Sequence, residues 1–230
     1  MKPYQKVPIR DRGESLVPIP LDCFAVVQPH PYEKLGAPYG GRSPYYLRQA
    51  VCDRLLQAQK ALQAQKPGWQ IQIFDAYRPV AVQQFMVEHT YRQLVLAQGL
   101  SASVINESER QALMEQVYQF WALPSADPAT PPPHSTGAAV DITLVDAQSQ
   151  TVDMGSPIDE PSKRSYPNHF ANSPDTQAQR QHQHRQLLAA ALKSAGFQQH
   201  PHEWWHFSYG DQLWAWQTRS PVAYYGQAMA

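Results

Sequence analysis

Cysteine is scarce in this chain: Cys23 and Cys52 are the only two in 230 residues. Two thiols cannot form the framework of a small disulfide-stapled secreted fold. Each stands among apolar neighbours, which predicts two buried free thiols. An excess of charge of either sign is also missing, since Lys+Arg and Asp+Glu both total 19. A basic field of the kind that draws nucleic acid is therefore absent, and no nucleic-acid partner is expected. No run approaches the ~18 apolar residues of a membrane-spanning helix. The opening stretch from Met1 to Pro8 lacks the apolar core of a secretory signal, so the expected location is cytoplasmic. What is present is apolar material, 43% of residues against 17% charged, enough to fill one core. The length fits one large domain over residues 1–230, and two small ones only with difficulty.

Residues 1–42 are rich in Pro, Gly and Tyr without a clear period and read as irregular structure, with one short strand from Leu21 to Val27. Ser43-Pro44 predicts a helix start, a hydroxyl cap followed by proline. Leu47, Val51, Leu55, Ala58 and Leu62 then recur at three- and four-residue steps until Pro67-Gly68. Gln70 to Phe74 alternates polar and apolar, as a half-buried strand does. Further helices are expected after Pro79, over about 107–122, and from a cap at Asp175 to about Ala195, with strands at 140–145 and 207–209. His89, His182 and His184 fall on helix faces. Between Asp146 and Pro174 lies a long loop rich in Ser, Pro, Asp and Asn, and loops of that length inside a compact domain are commonly functional. The pattern is α+β, a small and mainly antiparallel central sheet flanked by helices.

Two stretches concentrate chemistry. Pro133 to Asp141 carries His134 and Asp141 around Gly137 and two alanines, and Glu203-Trp204-Trp205-His206 follows some seventy residues later. His134, Asp141 and His206 offer two imidazoles and a carboxylate, an N/O donor set that suits zinc. Three protein ligands leave the fourth tetrahedral position open, as a catalytic site requires. Glu203 is free for proton transfer, and the flanking tryptophans shield the charges around it. A regular strand would put Glu203 and His206 on opposite faces, so the chain must bend there or Glu203 must precede the strand. The residues alone indicate a zinc hydrolase.

These motifs resemble the D-alanyl-D-alanine dipeptidase family, zinc D,D-dipeptidases within the wider D,D-carboxypeptidase group of hedgehog-like zinc fold. Beyond His134 to Asp141 and Glu203 to His206, Asp75-Ala76-Tyr77-Arg78-Pro79 resembles the family's arginine motif. Val152 to Asp159 resembles its substrate-contacting loop, and Gly40-Gly41-Arg42 through Leu47 the lead-in to its first helix. The resemblance implies one Zn2+ per chain on His134, Asp141 and His206, with Glu203 as catalytic base. It further implies that Arg78 meets the oxyanion and that Asp159 pairs with the ammonium of a small D,D-dipeptide such as D-Ala-D-Ala. Two departures stand out. Ile158 occupies a place where the family more often has Phe, and Pro132 and Pro133 replace serines of the vancomycin-resistance dipeptidase, removing any substrate hydrogen bond from those hydroxyls. The alternatives within this resemblance are a D,D- or L,D-carboxypeptidase acting on cell-wall stem peptides and a zinc-binding relative without catalysis. The joint presence of Glu203 and Arg78 argues against the last.

Overall fold

The computed structural model describes residues 2–100 and 105–228; the ends of the expected 1–230 unit lie outside the described residues. In chain order the strands and α-helices are β1 (Leu16–Pro18), β2 (Ala25–Val26), α1 (Pro31–Lys34), β3 (Tyr46–Arg48), α2 (Gln49–Gln65), β4 (Gln70–Asp75), α3 (Val80–Ala97), α4 (Glu107–Phe120), β5 (Ala139–Val145), α5 (Thr176–Ser194), β6 (Gln198–Gln199), β7 (His206–Ser208) and α6 (Gln212–Thr218). The central sheet has the order β2-β4-β5-β7-β6, and only β2–β4 is parallel. The fold is α+β, with the mainly antiparallel sheet the patterning predicts. No helix among the described residues is long and apolar enough to cross a membrane.

Alternation along β5 divides two environments. Val140, Ile142 and Leu144 enter a core built with Leu55 and Leu62 of α2 and Leu188 and Leu192 of α5. Asp141 and Thr143 therefore face the other side of the sheet. All seven residues of β5 are buried, as befits its place at the middle of the sheet. A smaller cluster joins Val82, Met86 and Val87 of α3 to Val117 of α4, Trp121, Tyr32 and Tyr39. Side-chain caps delimit the helices: Asp175 accepts from Ala178 N at 2.7 Å at the start of α5, and Asn106 and Glu109 cap α4 reciprocally, both at 3.0 Å.

Several expectations need correction. The helix read from Ser43-Pro44 begins at Gln49, because Tyr46–Arg48 pairs antiparallel with Leu16–Pro18 before the helix starts. Leu47 is core, as its position in the apolar pattern indicates, but it points inward from a strand. The strand expected over 21–27 reduces to Ala25–Val26 after a 3-10 turn at Leu21–Cys23. Residues 1–42 are more structured than their composition suggests, with the Pro3–Lys6 turn, β1 and α1 all formed. Cys52 is buried but Cys23 is only partly so. The segment at Glu203 resolves in favour of a late start, since β7 begins at His206.

Candidate active site

Sheet register assembles most of the site. Asp141 stands opposite Asp75 on one neighbouring strand and opposite His206 on the other, so the three side chains form a row across β4, β5 and β7. By alternation Asp75 would share the core face with Ile71 and Ile73. A register shift between Ile73 and Asp75 inserts Phe74 and turns Asp75 to the site face. His134 arrives from outside the sheet on the turn Pro133–Thr136, which ends at Gly137 in the left-handed region, φ +69°. Arg48 fixes that turn: its backbone N–H donates to Gly137 O and its Nε to Thr136 O, each at 2.8 Å.

His134, Asp141 and His206 are buried, and one ligand atom from each lies within 4.8 Å of the others. This group can hold a metal ion. His134 Nε2 is 3.1 Å from His206 Nδ1, and Asp141 Oδ1 is 3.0 Å from the same Nδ1. The other nitrogen of His134, Nδ1, donates to Ala76 O at 2.8 Å. That bond leaves Nε2 as a lone pair aimed at the cluster, the outer-shell arrangement common to metal-binding histidines. His206 Nε2 lies 3.3 Å from Ser208 Oγ, a partner of the same kind. Burial alone would raise the Asp141 carboxyl, but the facing His134 and His206 hold it well below the usual range.

Arg78 is 5% exposed and held on all sides. Its Nε donates to Asp75 Oδ2 at 2.9 Å, one terminal nitrogen to Gln83 at 2.9 Å, and the other to Tyr32 Oη at 3.2 Å and Asp141 Oδ2 at 3.0 Å. Asp75, fully buried, also accepts from His30 Nε2 at 3.0 Å and Tyr39 Oη at 3.1 Å. A guanidinium so restrained is a fixed positive charge rather than a mobile surface cation. Asp159 Oδ2 accepts from Tyr32 Oη at 2.8 Å. Burial, then the charge of Asp141, push its carboxyl up to about 7, against the pull of Arg78. Glu203 sits 3.5 Å from His200 Nδ1 and 3.8 Å from His206 Nδ1. Burial first and Asp141 second drive its pKa well above the usual carboxylate range.

All six residues singled out in the sequence, Arg78, His134, Asp141, Asp159, Glu203 and His206, line one cavity of about 40 Å³. The long 146–174 loop delivers Asp159 as part of its wall. It is pinned by buried Arg185, which donates to Met154 O at 2.7 Å and Tyr166 O at 2.8 Å, and by Trp204 Nε1 to Ser156 Oγ at 2.9 Å. His89, His182 and His184 stay outside; His184 instead contacts Asp153 O at 2.8 Å. Sequence reasoning passed over Tyr32, Gln83, Lys2 and His200. Gln83 left a faint sign, a polar residue on the first turn of a helix whose neighbours Val82 and Met86 are core; Tyr32 and Lys2 lie in aperiodic stretches that give none.

Residues 25–223 match the peptidase M15 family, described as D-ala-D-ala dipeptidase. A Synechocystis sp. protein named D-alanyl-D-alanine dipeptidase is 51% identical over 239 residues, covering 99% of this chain and 97% of its own. The Escherichia coli K12 protein of the same name is 31% identical over 144 residues, 63% of this chain and 57% of its own. Among solved structures, the LD-carboxypeptidase LdcB superposes with a TM-score of 0.42 at 13% identity, over 79% of this chain and 68% of that one; likeness at that distance has no bearing on function.

Proposed function

The chain belongs to the peptidase M15 family of D-ala-D-ala dipeptidases and is a peptidase, and from that premise we propose that it hydrolyses the free dipeptide D-Ala-D-Ala to two D-alanines with one zinc ion held by His134, Asp141 and His206. The observation that carries this reading is the convergence of that donor set with Glu203, Arg78 and Asp159 around a single buried cavity. The donors fit zinc: two imidazoles, with Nδ1 of His134 held by Ala76 O, and one carboxylate, leaving a coordination position for the reaction. A zinc ion there supplies a Lewis acid that polarises the scissile carbonyl and makes hydroxide accessible near neutral pH.

The chain's own groups do the rest. Glu203 takes the proton of the attacking water and passes it to the departing amine. Burial raises its pKa above the usual carboxylate range, which makes the carboxylate a stronger base toward that water. Arg78 places a fixed cation where the carbonyl oxygen gains charge, and the anchors at Asp75 and Gln83 mean it need not reorganise as the charge develops. Asp159, oriented by Tyr32, pairs with the ammonium of the dipeptide. An acylated amine would leave that half-buried carboxyl without a cation, which selects dipeptides over longer chains.

The test is release of D-alanine by the zinc-loaded protein from D-Ala-D-Ala, its N-acetyl derivative and a stem peptide ending in D-Ala-D-Ala. Turnover confined to the free dipeptide supports the dipeptidase. Turnover of the blocked or longer substrates would move the protein to the carboxypeptidase reading.

A further inference from the structure

A zwitterionic dipeptide has two charged ends, and the groups named so far answer only one of them. Pro132 and Pro133 offer no hydroxyl to a carboxylate. A second cavity, of about 370 Å³, lies against the first, and Lys2, Tyr4 and His200 line both. They form the partition between an inner chamber, with room for a few waters, and an outer one. Asp159 and the partition residues line the same inner cavity, so a dipeptide with its ammonium at Asp159 has the partition among that cavity's walls.

The partition carries one ammonium group, that of Lys2. Among the described residues it has no carboxylate within 4.0 Å. Burial lowers the pKa of the Lys2 ammonium from its ordinary value, against the pull of Glu203. Asp159 lines only the inner cavity, whereas Lys2 lines both. The segment that carries Lys2 is fastened. Its backbone N–H donates to Gln5 Oε1 at 2.8 Å, Tyr4 is buried, and Gln212 Nε2 donates to Val7 O at 2.7 Å and Ala129 O at 3.0 Å.

Resting on the dipeptidase reading, we infer that Lys2 is a specificity-determining residue: its ammonium receives the free C-terminal carboxylate of the dipeptide at the partition between the two cavities, in place of the hydroxyl contacts that Pro132 and Pro133 cannot make. Asp159 and Lys2 then measure a dipeptide from both ends, and a substrate extended or capped at its C-terminus loses the second contact.

The experiment compares D-Ala-D-Ala with its C-terminal amide, using the zinc-loaded wild type and the variants Lys2→Met and Lys2→Arg. The wild type should prefer the free acid in kcat/KM by about 10- to 100-fold, the range for a charge-assisted contact to a shielded group. Lys2→Met should lose about that factor on the acid, mainly through KM, and leave the amide within about twofold; Lys2→Arg should restore part of the preference. Equal losses on both substrates, or none on either, would overturn the inference. Equilibrium binding of acid and amide to Glu203→Gln protein, with and without Lys2→Met, gives the same comparison without turnover. A wild type that hydrolyses neither substrate defeats the dipeptidase reading, and the binding comparison still decides Lys2: acid-selective binding that vanishes in Lys2→Met upholds it, and binding indifferent to the substitution overturns it.

Discussion

Asp75 offers the sharpest perturbation of the frame behind the site. It is fully buried; Oδ1 accepts from His30 and Tyr39, and Oδ2 accepts from Arg78. Asp75→Asn keeps the volume but turns one acceptor into a donor. If the new amide nitrogen faces His30 and Tyr39, two donors meet a third; if it faces Arg78, the guanidinium meets a donor. Either orientation also removes the negative charge opposite a buried cation. Breaking a buried ion pair from one side costs about 3–5 kcal/mol, which for a chain of this size lowers Tm by roughly 9–15 °C. Arg78 loses its anchor on Nε, and displacement of a fixed cation from a developing charge costs on the order of 10²-fold in kcat/KM. Scanning calorimetry with a chelator in both samples keeps ion binding out of the stability comparison, and kcat/KM is measured on the zinc-loaded proteins. A Tm within about 2 °C of wild type together with kcat/KM within about threefold would refute the reasoning, because a substitution that disturbed this network could not leave both intact.

Three further outcomes follow from the geometry. With its carboxyl pushed up to about 7, Asp159 is increasingly protonated below that pH, so KM for the dipeptide should rise as pH falls from 8 to 6, and Asp159→Asn should flatten that dependence. The linkage has the opposite sign for folding: a raised carboxyl binds its proton more tightly in the folded state, so its stabilising contribution fades as pH climbs from about 4 to about 7, which urea unfolding at fixed pH values measures. Ser208→Ala removes the partner of His206 Nε2 and should weaken zinc retention about 10-fold in chelator competition, with the fold unchanged by circular dichroism. Gly137→Ala should lower stability by roughly 1–3 kcal/mol in denaturant unfolding, since φ is +69° and the added Cβ would meet Leu16 Cδ2 at 2.3 Å.

Much of this site is legible in the sequence because its groups come in short motifs of unusual composition. His134 and Asp141 lie seven residues apart around a glycine, and Glu203 and His206 three apart with two tryptophans between them. What ties them together is less visible. The row Asp75–Asp141–His206 depends on strand register and on the extra residue Phe74, and a one-residue shift is silent in an alternating pattern. Tyr46–Arg48 illustrates the same limit: its apolar residue continues the helical period of α2, and only the tertiary pairing with Leu16–Pro18 makes it a strand. Lys2 and Tyr4, which line the cavity, and Tyr32, which bonds to Asp159, come from segments whose order comes from docking onto the rest of the chain rather than from any local period, so a reading by period leaves them out.

The most direct test counts zinc and product together. Wild-type protein reconstituted with one equivalent of zinc should release two D-alanines per D-Ala-D-Ala consumed, and Glu203→Ala should still bind one equivalent of zinc yet lose at least about 10³-fold in kcat. Full activity in Glu203→Ala, or undiminished turnover by the wild type after the zinc has been stripped, would contradict the account.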